Sequence, residues 1–152
     1  MAFVDPTTPN AADFYTFVTG QGVPTADLPS TSEYLTWSLD YAQNWALLPP
    51  ATMPAIVYVM AVYNLGMHHL IKVAQDLSGQ TFFADQRAAY GMLAFNAGPV
   101  VASGDGPTSV TLMPAEWMKD LSMMALGLLK TIWGRSYLEY AQSYGPNICE
   151  VS

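Results

Sequence analysis

The residues able to do chemistry are few. His68 and His69 sit side by side in "YNLGMHHLIK" (63–72). Neighbours on a helix point about 100° apart, so the two cannot clamp one metal together. No Cys, His or Asp lies at ligand spacing around them, and a partly buried, hydrogen-bonded pair is the expected reading. Cys149, in the tail "NICEVS", lacks the basic surroundings of an activated thiolate. As a single cysteine it cannot close an internal disulfide, which is compatible with a reducing cytosol. The glycine-rich stretches "GQG" (20–22) and "GDG" (104–106) lack the lysine, or the strand–turn–helix frame, of a phosphate loop. Asp5, Asp13, Asp27 and Asp40 are scattered without a paired-carboxylate spacing. The expectation is therefore no catalytic residue, no metal, no cofactor and no enzyme, but a structural or interaction protein.

The composition agrees with that expectation. Of 152 residues, 11% are charged and 51% hydrophobic, where about 25% charged is usual. So few charges cannot cover an ordinary monomer's surface, and part of it is expected to lie against other chains or lipid. The most apolar stretch, 53–74, is interrupted by Asn64, His68, His69 and Lys72. It fits a buried core helix better than a span of about 20 apolar residues. The start "MAFVDPTTPN" has neither the basic nor the apolar region of a secretory leader. Ala2 follows Met1, and Cys149 is not in a prenylation position, so neither lipidation nor a membrane is expected. The net charge of −7 argues against a protein that grips phosphates or reads bases. It allows a channel through which nucleic acid slides.

The elements that must position these residues read as mainly α: a bundle of four to five helices with one projecting Gly-rich β-hairpin arm before the last helix. One domain of this size buries roughly 68–70% of its unfolded surface. Its parts are an N-terminal segment (1–30), helices (31–95), the arm (96–114), a C-terminal helix (115–141) and a tail (142–152). A short helix is predicted over 11–19 with Asn10 as N-cap. The next runs from about 32 to 48, capped by Ser30, Thr31 or Ser32. Leu35, Leu39, Ala42 and Ala46 form one stripe, and Tyr34, Trp37, Tyr41 and Trp45 form an aromatic stripe beside it. So wide an apolar arc serves two neighbours. "LLPP" (47–50) stops it. The third helix runs from 51–54 to about Leu77 and is apolar all round, so it belongs in the middle. "SGQ" (78–80) ends it. Residues 83–95 read as a shorter helix. The last starts near Pro114, reaches about Lys130 and carries Met118, Met123 and Met124, gap-fillers or adaptable contacts.

Two segments stand apart. In "NAGPVVASGDGPTSVTLMP" (96–114), two short β-type arms flank a Gly-rich tip. A lone hairpin is marginal in water, and no other strand is available to receive it, so the next copy or an adjacent protein is the expected partner. The expected contact residues are Gly98, Val100, Val101, Gly104, Asp105, Gly106, Val110 and Leu112. In "TIWGRSYLEY" (131–140), Gly134 permits a bend or a close backbone approach, and Arg135 places a planar fork of donors there. Two readings stand. One is a kinked C-terminal helix with a solvated Arg135. In the other, Trp133, Gly134, Arg135 and Tyr137 dock on a neighbouring chain, with Arg135 pairing a carboxylate.

In this order of features the chain resembles the head-to-tail connector (adaptor) proteins of tailed bacteriophages, small helical proteins that form a ring under the portal. The resemblance covers about residues 11–140. It is carried by helical segments at 32–77, the arm "GPVVASGDGPTSVTL" (98–112), a last helix, and a terminal motif matched by Thr131, Trp133, Gly134, Arg135, Tyr137 and Leu138. The 78–95 segment is longer than in the family, and the tail "AQSYGPNICEVS" lacks its run of basic residues. The resemblance implies a homo-oligomeric ring, a dodecamer, that binds the portal on one side and a stopper or tail protein on the other. DNA would pass through its lumen without sequence-specific contact. The expected location is the virion neck, after assembly in the host cytoplasm. The alternative from another class is a small helical binding protein for an apolar ligand or lipid. The arm discriminates against it, because a ligand binder has no use for a protruding hairpin.

Overall fold

The computed structural model describes residues 3–46, 53–93 and 123–144. Six helices and no strand occur among them: α1 (Ala11–Gly20), α2 (Glu33–Trp45), α3 (Ala55–Val73), α4 (Phe82–Ala89), α5 (Met123–Leu128) and α6 (Ile132–Tyr144). The protein is mainly α. The expected arm at 96–114, with Gly98, Val100, Val101, Gly104, Asp105, Gly106, Val110 and Leu112, lies outside the described residues, as does the expected helix start near Pro114.

α3 is the centre. Val59, residues 61–68, Leu70 and Ile71 are all buried, which is the all-round burial its apolar sequence called for. By length and composition it could cross a membrane, but 61% of its most apolar window is buried inside the chain. α2 and α6 make its most extensive contacts, and α1 and α4 make smaller ones.

α1 begins where the sequence indicates. Asn10 accepts from the Asp13 amide at 2.9 Å, satisfying one orphan donor of the first turn. The Asp13 carboxylate is itself buried and accepts from the amides of Val4 (2.6 Å) and Asp5 (2.8 Å) and from Asn10 Nδ2 (2.8 Å). Burial pushes the Asp13 pKa up, but these hydrogen bonds outweigh it and hold the group below the ordinary 3.8. Tyr63 of α3 fastens this end, its hydroxyl accepting from the Asn10 amide at 3.2 Å and its ring packed on Phe3, Phe14 and Phe17.

α2 buries Leu35, Ser38, Leu39 and Ala42. α3 ends at Val73, four residues before the expected Leu77, because the chain leaves it to start α4. Asp76 accepts from the amides of Phe83 (2.7 Å) and Ala84 (2.9 Å), the first turn of α4. Arg87 returns the favour by donating to the carbonyls of Ile71 and Ala74 at the α3 C-terminus, and approaches Asp76 at 3.9 Å. α4 stops at Ala89 rather than 95. Gly91, at φ +61°, closes it with the Met92 amide on the Arg87 carbonyl (2.8 Å) and its own amide on the Ala88 carbonyl (3.0 Å), a Schellman ending that needs the left-handed conformation.

The C-terminal helix is two helices. The change of direction falls at 129–131, not at Gly134. Thr131 caps α6 by accepting from the Gly134 amide at 2.9 Å. Gly134 sits in the first turn of α6, where a Cβ would lie 2.1 Å from the Leu128 carbonyl oxygen. The glycine is required because the end of α5 runs directly over the start of α6.

Candidate interaction surface

The adjacent histidines serve different helices. His69 faces α2: its Nδ1 lies 3.3 Å from Ser38 Oγ, and its ring stacks on Tyr41 at 4.0 Å and 14°. His68 faces α6: its Nδ1 lies 2.7 Å from Thr131 Oγ1. Thr131 is fully buried and already accepts from the Gly134 amide. The His68–Thr131 hydrogen bond thus ties α3 to the cap of α6. Burial, then the charges of Lys72 and His69, lower the His68 pKa to about 4. Burial, then Lys72, lowers that of His69. The pair is structural glue, as its adjacency indicated. Among the described residues no group of three His, Cys, Asp or Glu could hold a metal.

The terminal motif is mostly internal. Trp133 is 5% exposed, donates from Nε1 to Gln21 Oε1 at 3.1 Å and meets Tyr90 edge-on at 5.9 Å. Tyr137 is 2% exposed. The close approach allowed by Gly134 is to Leu128 of the same chain. Three of the four residues expected to dock on a neighbour are thus buried within the chain, Trp133 joining α6 to the ends of α1 and α4 and Gly134 meeting the end of α5. Arg135 alone of the four stays on the surface, with one hydrogen bond to the Leu129 carbonyl at 3.3 Å among the described residues. The signal for this arrangement was in the sequence: a threonine three residues before the glycine, the N-cap spacing.

The surface that invites contact is on α2. Trp37 is 55% exposed and Trp45 53%. Tyr34 braces Trp37 edge-on at 5.6 Å, and Tyr41 stacks both on Trp45 at 5.9 Å and on His69. Glu33 and Asp40, both exposed, flank Trp37 one turn away on each side. Exposed Ile56 adds to the apolar surface of the chain. A separate hollow of about 510 Å³, open to solvent, is lined by Phe3, Tyr15, Thr16, Phe17, Thr19, Gln21 and Thr25.

Comparison with known proteins finds no matching family model, no similar curated protein and no similar solved structure.

Proposed function

We propose that this chain is a structural subunit of a tailed-phage virion neck, assembling as a ring adaptor between the portal and a downstream stopper or tail protein around the DNA channel. The observation that carries the reading is the pair of half-exposed tryptophans on α2 in a chain with only 11% charged residues. Large apolar groups rimmed by polar ones mark contact surfaces, and Trp is among the residues that dominate them. The mainly helical fold and the resemblance of 98–112 and 131–140 to connector proteins support the specific form. The acidic balance suits a lumen that does not hold DNA. Against the ligand-binding alternative, the hollow beside α1 is open to solvent and lacks the enclosure that buries most of a small ligand.

Light scattering on the purified chain, alone and with its cognate portal ring, tests the proposal. The expected result is a multimer of the chain bound to the portal. A chain that stays monomeric in both conditions overturns it.

A further inference from the structure

α2 and α6 approach α3 from different directions. Ser38 of α2 reaches His69, while Thr131 of α6 reaches His68, and adjacent helix positions diverge by about 100°. The outer faces of α2 and α6 therefore look away from each other, and one copy presents both.

These faces differ in a complementary way. Glu33, Trp37 and Asp40 follow at intervals of four and three along α2 and share its solvent stripe. On α6, Ile132 is 46% exposed, and exposed Arg135 follows three residues later on the same stripe. Cations are scarce in this chain: five basic residues against twelve acidic. Arg87 is committed to the carbonyls of Ile71 and Ala74, and Lys130 donates to the Gly91 carbonyl at 2.7 Å. Lys72 and Arg135 are the exposed cations among the described residues. Lys72 lies on α3, whereas Arg135 stands beside an exposed apolar residue on an outer helix. Copies of net charge −7 repel one another, so a contact between them must set one of the few cations against acids.

We infer that copies of this chain associate head to tail, with Ile132 and Arg135 of one copy seated on the Glu33–Trp37–Asp40 face of the next. The inference rests on the ring-subunit reading and names the contact. A guanidinium stacks on an indole face and at the same time offers its planar fork to a carboxylate. Trp37, with an acid one turn to either side, presents both features. Ile132 covers the apolar part of the same face. In a parallel pairing that sets Ile132 beside Trp37 and Arg135 beside Asp40, Glu139, one turn beyond Arg135, falls beside Asn44 rather than beside another carboxylate. The two patches are different surfaces, so the contact is heterologous, and repeated with closure it forms a ring. One helix face is a small contact, weak between two free copies and reinforced when the ring closes.

Charge reversal tests it by sedimentation equilibrium up to roughly 1 mM chain, near the weak end of specific association. Arg135→Glu alone, and Glu33→Arg with Asp40→Arg alone, should each weaken self-association at least tenfold, with circular dichroism showing both folded. An equimolar mixture of the two variants should regain the wild-type association, because every contact in an alternating assembly is again between opposite charges. Regained association in the mixture also excludes misfolding as the cause of the single losses. If Arg135→Glu associates as tightly as wild type, or the mixture fails to recover, this contact is wrong while the subunit reading stands. If the wild-type chain is monomeric both free and with the portal ring, the subunit reading falls and the contact falls with it.

Discussion

α2 and α6 are both amphipathic helices of thirteen residues packed on α3, and both carry tryptophan, yet their tryptophans meet opposite fates. Trp133 is 5% exposed and has a hydrogen-bond acceptor for its indole N–H; Trp37 is 55% exposed. The difference lies in what the fold brings to each. Gln21 from the end of α1 and Tyr90 from the end of α4 close over Trp133. Trp37 meets the ring of Tyr34 from its own helix. The same side chain is core on one flank of α3 and exposed surface on the other.

The strongest way to break the comparison is at Gly134. Gly134→Val drives a side chain into the Leu128 carbonyl, where a Cβ already lies 2.1 Å away. The expected loss is roughly 4 kcal/mol or more in the isolated chain, read from the urea midpoint. An unchanged midpoint would mean that α5 does not lie over α6 as described. Next, Trp133→Ala empties a packed site and removes the hydrogen bond to Gln21, at an expected cost of about 3–5 kcal/mol.

The α3–α6 junction is also pH-dependent. An unfolded histidine titrates near 6.5, and His68 in the fold near 4. Between those values the unfolded chain binds more protons, so stability rises with pH there. The contribution is complete above about pH 6.5 and is lost as pH falls to about 4, amounting to about 3 kcal/mol. His69 acts in the same direction. His68→Gln should reduce the slope of stability between pH 4 and 6.5 and leave the part due to His69; if the slope is unchanged, the junction is not its source. The depressed Asp13 carboxylate acts in a lower window, its contribution lost as pH falls below 3.8. A smaller effect is expected from Thr131→Ala, which removes the cap of α6 and the partner of His68 together. It should cost about 2 kcal/mol by thermal or urea denaturation, and Thr131→Ser should restore most of it.

The comparison is sharpened at the other end by Trp37→Ala. On the monomer's surface it should change stability by no more than about 0.5 kcal/mol. A cost near that of Trp133→Ala would show that the α2 face is already buried in the free chain.

Most of the framework was legible. The cap at Asn10, the all-round burial of α3 and the separate duties of His68 and His69 follow from local spacing, whereas Ser32, one of three cap candidates, holds the N-cap position of α2 without a side-chain hydrogen bond. The boundaries that moved did so for reasons distant in sequence. α3 gave up its last turn because Asp76 caps α4 and Arg87 closes the α3 C-terminus. The bend expected at Gly134 fell at 129–131, because Thr131 supplies the cap and the glycine answers a steric demand from Leu128.

Local chemistry alone therefore determined that this chain is a helical protein with its most apolar helix at the centre, since periodicity, caps and breakers act within a few residues. Only the tertiary structure decided which apolar stripes are core and which are surface. Trp37 and Trp133 cannot be told apart by residue type or by amphipathic pattern. Burial depends on which distant residues arrive to cover a face, and that is a property of the packed helices rather than of any one of them.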